Sequence, residues 1–500
     1  MDSDEPSPRG GLVHTLLDDA AAGHPDAPAV RDADGGWTFR ETADYSRAVA
    51  AWLRGRGVEP GDRVLVQWPT DRRLAAMLYG VSRAGAVLVP INPDTKAYQL
   101  HAVVESAEPK VVLTEADRAD TWAEIEKLHI EDASFEHAGA TPQDLAFLVY
   151  TSGSTSVPKG VIEPHAQVVF AARALVAELG YRADDVVLCR FPVSWDYGLY
   201  KVLMCAAAGC EIVLAGDESD LTLLRRIREV GATIVPIVPS FATMIVTLAA
   251  RGSRDAAAPA NRVRLFTNTG AALPPSTADK LREAFPGAAV VRQYGQTECK
   301  RVSVMPPEEE HQRPDSCGRP IRGTGVLILD PDGRPVPTGG IGEIVAVGPH
   351  VMPGYWRQPE ISALTFRPDP ATGGLRLHTG DYGRLDEDGY LYFQGRRDDM
   401  FKRKGIRMST LEIEAAAMDI PGVRAAGVVP PTAERDLAIC VESDLAPHVV
   451  LRELAQRLEP LKVPAKCHVV QEFPLTAHGK NATKALADML DAAFAAPRRS

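Results

Sequence analysis

Short apolar runs alternate with amphipathic stretches through the first two thirds of the chain, and each change of period marks an element. Residues 1 to about 11 read as a loose tail. After them, AVRDADGGWTFRETADYSRAVAAWLRGRG predicts a strand, a glycine turn, a second strand and a helix ended by glycine. DRVLVQWP and GAVLVPINP are apolar runs separated by the helical LAAMLYGVSRA, and KVVLT, DVVLCRF, CEIVLA and ATIVPIVPS continue the alternation. Runs of this kind, apolar on both faces, suit buried parallel strands covered by helices, so the class is α/β. From Gly323 the texture changes to TGVLILDPDGRPVPTGGIGEIVAVG and GRLDEDGYLYFQG, whose D-G turns and alternating positions predict an antiparallel β subdomain. The charged stretch GRRDDMFKRKGIRMSTLEIEAAA follows, and beyond it lies a smaller unit of mixed helices and strands. The boundary is expected at Arg397 and Asp398, giving a core domain over 12–397 and a C-terminal domain over 398–500.

Composition narrows the function classes. Of 500 residues 45% are hydrophobic and 24% charged, which is ordinary globular usage. A net charge of −11 argues against a general nucleic-acid footprint. The seven cysteines are scattered without a C-x-x-C pair, so a reduced compartment, the cytoplasm, is expected. The opening MDSDEPSPRGG lacks a signal-peptide pattern and no apolar run reaches membrane-spanning length, so no membrane partner is expected. The formal sequon Asn481-Ala-Thr483 is therefore discounted.

The stretch YTSGSTSVPKG, Tyr150–Gly160, carries candidate chemistry. It is not a Walker A loop, since Pro158 stands at the second glycine and Gly160 follows Lys159. Small residues nevertheless leave backbone N–H groups open, Ser152, Ser154 and Thr155 add hydroxyls, and Lys159 adds a cation, all of which suit a polyphosphate. A glycine-serine surface turn is the alternative.

In order along the chain stand TSGSTSVPKGV, QYGQTE at 293–298, HTGDYG at 378–383, GRRDDMFKRKG at 395–405 and PLTAHGK at 474–480. SRAGAVLVPINP at 82–93 and GEIVAVGPHVMPGYW at 342–356 match more weakly. This set resembles the adenylate-forming superfamily, which contains acyl-CoA synthetases, adenylation domains of nonribosomal peptide synthesis and luciferases. The resemblance implies a large N-terminal domain of two α/β subdomains plus a β subdomain, with a small mobile α+β C-terminal domain. It implies attack of a carboxylate on the α-phosphorus of ATP, departure of pyrophosphate, and capture of the acyl group by a thiol.

Residue roles follow from the same resemblance. Thr151, Ser152, Gly153, Ser154, Thr155 and Lys159 would hold the β- and γ-phosphates. Tyr294 would stack on adenine, Thr297 touch the α-phosphate and Glu298 hold Mg²⁺, an ion that takes oxygen ligands. Asp381 and Arg396 would bind the ribose hydroxyls. Lys480 would bring a cation to the reacting carboxylate and phosphate, although Ala477-His478 stand where the family commonly has P-N before Gly479-Lys480. Asp398 takes the place of the hinge residue. Asp196, in FPVSWDYG, falls on the aspartate that pairs with the substrate ammonium in amino-acid-activating members. Lys300 and Arg301, directly after QYGQTEC, are candidates for a second substrate carboxylate, arginine being able to bind one bidentately. The end motif resembles carrier-loading adenylation domains, while the double aspartate of GRRDD is common in CoA ligases. D-Y-G together with T-E-C-K-R resembles most the stand-alone enzymes that activate β-amino acids for macrolactam assembly. The expected activity is adenylation of a β-amino acid and transfer to the phosphopantetheine of an acyl carrier protein. A fatty or aromatic acyl-CoA ligase, and a non-enzymatic ATP sensor, are the alternatives.

Overall fold

The computed structural model describes residues 11–128, 139–151, 158–215, 222–251, 261–396, 400–403, 406–432, 435–458, 460, 462–474 and 483–494. Ser152, Gly153, Ser154, Thr155, Asp398 and Lys480 lie outside the described residues, as do the expected domain boundary at 397 and 398 and nearly all of the N-terminal tail.

The α/β class is borne out. One sheet runs, edge to edge, through Val111–Leu113, Arg63–Val66, Val87–Pro90, Leu145–Thr151 and Lys159–Pro164, parallel except for the last strand, which turns back antiparallel. The second, of nine strands among the described residues, has at its centre Leu265–Asn268, Ile234–Ile237, Val186–Cys189 and Glu211–Leu214 in parallel. An antiparallel sheet of Gly325–Leu329, Gly342–Val347, Phe366–Pro368, Leu375–Leu385 and Leu391–Arg396 is the β subdomain. The C-terminal unit pairs Val423–Val429, Ala438–Ser443 and Lys466–Val470 and adds helices Thr410–Met418, Pro447–Arg457 and Thr483–Phe494. Among the described residues no helix is long and apolar enough to cross a membrane.

The first hairpin departs from its neighbours in sequence. Strands Pro28–Asp32 and Gly35–Thr38 join the second sheet, with Val30 in register with Ile212. Helix Arg72–Arg83 thereby touches strands of both sheets. Helix Phe39–Gly55 starts at a capping box, in which the Thr38 N–H donates to Glu41 at 2.7 Å and the Glu41 N–H to Thr38 at 3.2 Å. It crosses helix Arg72–Arg83 at Gly80, where a Cβ would lie 2.4 Å from Val49 and 2.8 Å from the Ser46 carbonyl. Only glycine allows that approach. One apolar core, from Val13 through Trp68 and Leu203 to Val291, ties both sheets together and fixes the strand ends that carry the site.

Candidate active site

Strands Leu145–Thr151 and Lys159–Pro164 form a hairpin in which Thr151 faces Lys159, so the two ends of the proposed phosphate loop stand side by side. The Lys159 ammonium lies 5.4 Å from the centre of the Tyr355 ring. Tyr355 in turn donates its hydroxyl to Glu298 at 2.7 Å, and burial together with the Glu298 carboxylate pushes its pKa upward, so it stays a donor. The segment bearing Tyr355 docks on the hairpin through Ile162 N–H to the Gly354 carbonyl at 3.0 Å and Trp356 N–H to the Gly160 carbonyl at 2.7 Å. The backbone of Met352 donates to the Glu298 carbonyl at 3.0 Å. One short segment therefore positions both Lys159 and Glu298.

Glu298 and Thr297 are partly exposed on the turn after strand Ala289–Tyr294. Gly295 makes that turn possible, since a Cβ there would stand 2.4 Å from the Lys300 carbonyl. Among the described residues no group of three or more His, Cys, Asp and Glu side chains converges as a metal site. Mg²⁺ bound mainly through nucleotide phosphates and water needs only one or two protein carboxylates, and Glu298 fits that role.

Across the β subdomain, Asp381 and Arg396 are register partners on neighbouring strands, with Arg396 Nε 3.3 Å from Asp381 Oδ1. The Tyr294 hydroxyl donates to Asp381 Oδ2 at 2.6 Å, and its ring lies 5.3 Å from that of Phe393. The Asp381 N–H is anchored on Thr379 at 3.0 Å. Three residues spread over about a hundred positions in sequence thus meet, an aromatic ring and a guanidinium on one buried carboxylate.

The third region surrounds the start of helix Asp196–Ala208. Asp196 Oδ1 accepts from Lys300 Nζ at 2.5 Å, and the same ammonium donates to Glu163 on the hairpin strand. Lys300 is fully enclosed, Glu163 has no exposure, and the Asp196 side chain keeps 17%. The ammonium also faces the Tyr200 ring at 4.9 Å. Burial opposes the Lys300 charge, yet Asp196 and Glu163 hold its pKa above the ordinary lysine value. Burial raises the proton affinity of the Glu163 carboxyl, and the directly bonded Lys300 ammonium opposes that shift. Lys300 pays for this position with a φ of 67°, a left-handed conformation costing a non-glycine residue about 1–2 kcal/mol.

The Lys300 ammonium is thus held between two protein carboxylates and beside an aromatic face. Arg301 is placed differently. It donates from Nε to Gln293 at 3.0 Å and from Nη1 to the Lys300 carbonyl at 2.5 Å, and its guanidinium lies 5.2 Å from the Tyr197 ring. The buried Lys201 also lies near Tyr197, 4.9 Å from the ring centre. Burial and the nearby Arg301 lower the Lys201 pKa to about 7.

Tyr355 and Glu163 are the residues that reading the sequence did not single out. Tyr355 sits inside a weak motif. Glu163 carried a signal in retrospect: a lone carboxylate in the largely buried strand KGVIEP.

Residues 17–356 match the AMP-binding enzyme family, and residues 412–480 match the AMP-binding enzyme C-terminal domain. One plipastatin synthase polypeptide of Bacillus subtilis is 28% identical over 97% of the chain, which spans only 14% of that protein's length. VinN is similar in structure: its complex with L-aspartate is 49% identical, with a TM-score of 0.71, over 77% of this chain and 99% of that one. A complex of VinN with 3-methylaspartate matches at 45% identity and a TM-score of 0.66, over 77% and 99% of the two chains. ATP-bound MatB from Rhodopseudomonas palustris is 25% identical and aligns over 97% of the chain and 100% of its own, with a TM-score of 0.83. With family matches in both units, the chain belongs to the AMP-binding enzymes of the adenylate-forming superfamily.

Proposed function

We propose that this enzyme adenylates an amino acid, specifically a β-amino acid of the aspartate type, and transfers it to the phosphopantetheine thiol of an acyl carrier protein. The observation that carries the reading is Asp196. Its carboxylate opens a helix, where the helix dipole favours negative charge, and one oxygen is anchored on Lys300 while part of the side chain stays exposed. A carboxylate so placed is suited to an ammonium group and disfavoured beside an apolar acid. Arg301, close by, supplies the cation for a second carboxylate. The complexes of VinN with L-aspartate and 3-methylaspartate support the same class of ligand.

In this reading Tyr294, Asp381 and Arg396 hold the nucleoside, and Thr151, Lys159 and the intervening loop hold the outer phosphates. Asp196 and Arg301 orient the substrate so that its reacting carboxylate meets the α-phosphorus, a positioning that converts a bimolecular step into a nearly unimolecular one. Mg²⁺ held by Glu298 would offset phosphate charge. Thr297 and Lys480 stabilise the charge that builds where carboxylate meets phosphate. Movement of the C-terminal domain about Asp398 then opens the path for the thiol.

Pyrophosphate exchange across a panel of amino, β-amino and simple carboxylic acids tests this. Aspartate-type β-amino acids are expected to lead, and Asp196→Ala should abolish their exchange while sparing des-amino analogues. If a simple acid is the better substrate of the unmodified enzyme, an acyl-CoA ligase takes the place of this proposal. Faster thioester formation on free CoA than on a phosphopantetheinylated carrier would remove the carrier assignment.

A further inference from the structure

We propose that Glu163 is a specificity-determining residue of the acyl pocket: by occupying Lys300 from behind, it leaves the pocket with one available anion, Asp196, and one available cation, Arg301. The inference rests on the ammonium reading of Asp196 given above and adds the residue that sets the charge of that site.

The argument is one of charge and geometry. Lys300 is the directly bonded cation of two carboxylates that come from different parts of the fold, Glu163 from the hairpin strand Lys159–Pro164 and Asp196 from the first turn of helix Asp196–Ala208. Glu163 is completely enclosed and one of its oxygens, Oε2, is buried without a hydrogen-bond partner. A buried carboxylate so incompletely satisfied is costly unless it serves another group. Asp196 is the member of the three with exposed surface, so it is where a ligand enters the network. With Glu163 present, half of the lysine's attraction is spent where no ligand reaches, and Asp196 remains under-neutralised. Were Glu163 uncharged, Lys300 would pair with Asp196 alone, the pair would be neutral, and a substrate ammonium would gain little there.

The surrounding charges agree with this assignment. Arg301 binds Gln293 and a backbone carbonyl, and no carboxylate among the described residues is seen to take its charge. Glu298 adds negative potential at Glu163 from the nucleotide side. A ligand carrying one ammonium and one free carboxylate beside its reacting carboxylate completes the balance.

Glu163→Gln tests the role, because the amide keeps the size and an acceptor oxygen while removing the charge. KM and kcat of pyrophosphate exchange would be measured with L-aspartate and with its des-amino counterpart succinate. The expected result is a KM for L-aspartate raised at least tenfold, a kcat at saturation within about threefold, and a KM for succinate unchanged or lower. Glu163→Gln combined with Lys300→Met restores the local charge count and should bring the preference for L-aspartate back toward that of the unmodified enzyme. Equal losses with both substrates, or a double variant less selective than Glu163→Gln alone, would overturn the proposal and leave Glu163 as packing. If Glu163→Gln does not fold, the double variant is compared directly with Lys300→Gln, and the same ordering of preferences is required. An unmodified enzyme that uses succinate as well as L-aspartate, or uses neither, removes the ammonium reading itself, so the two failures are distinguishable.

Discussion

The hydroxyl of Tyr355 donates to Glu298 at 2.7 Å while its ring faces the Lys159 ammonium at 5.4 Å, so a single side chain couples the two residues expected at the phosphates. Removing a donor from an ionised acceptor forfeits about 1.5–3 kcal/mol. Tyr355→Phe keeps the ring and loses the hydroxyl. Pyrophosphate exchange should slow roughly tenfold, with more Mg²⁺ needed for half-maximal rate, while the KM of the carboxylic acid holds. An unchanged Mg²⁺ dependence would detach Tyr355 from the metal-binding role proposed for Glu298.

A parallel relationship exists in the nucleoside region, where Tyr294 donates to Asp381 at 2.6 Å. Tyr294→Phe retains the packing against Phe393 and frees one Asp381 oxygen from its partner. The KM for ATP is expected to rise about tenfold, the equivalent of roughly 1.4 kcal/mol, with little change in the KM of the acid. Asp381→Asn should act in the same direction and more strongly. If both variants alter the acid's KM instead, Asp381 does not hold the nucleotide.

The α/β alternation and the change to antiparallel texture near Gly323 were legible because strand and helix periods are local properties of the chain. The joining of Val30 to Ile212 was not, since pairing across nearly two hundred residues leaves no local trace. The site shows the same division. Tyr294, Asp381 and Arg396 could be named from motif spacing, and the fold brings them together. The pairing of Lys300 with Glu163 could not be read, since the two lie 137 positions apart in sequence. Sequence order placed Lys300 near the pocket; only three-dimensional pairing decides whether its charge is available.

Acid stability offers a test away from the chemistry. His350 is completely buried, neither ring nitrogen has a hydrogen-bond partner, and burial lowers its pKa to about 4. The folded state therefore binds the proton less well than the unfolded chain, whose histidine titrates near 6.5. The sign follows: the contribution is fully present above about pH 6.5 and is lost as pH falls toward 4. Its full size is about 3 kcal/mol, of which roughly 2 kcal/mol should be gone by pH 5. Urea midpoints at pH 7 and pH 5 check this. The pH 5 loss should be visibly smaller in His350→Leu, with the remainder owed partly to His165, whose pKa burial also lowers to about 4. Identical pH 5 losses in both proteins would exclude His350 as an acid-sensitive group.

The two half-reactions should separate genetically, although both residues concerned lie outside the described part of the chain. Adenylation gathers negative charge between carboxylate and phosphate, and Lys480 is assigned to that step alone. Thiol capture starts from an adenylate whose pyrophosphate has gone, so the lysine has no remaining task and must make way. Lys480→Ala is therefore expected to cripple adenylate formation and to leave thioester formation from supplied aminoacyl adenylate largely intact. Asp398→Pro should do the reverse, because proline fixes its own φ and restricts the preceding residue, arresting rotation about the hinge while the adenylating arrangement persists. Pyrophosphate exchange would survive and thioester yield would fall. Rapid-quench measurement of each half-reaction decides between this division and a shared role: equal losses in both steps for Lys480→Ala would place the lysine in both, and full thioester formation by Asp398→Pro would move the hinge elsewhere in the 395–405 stretch.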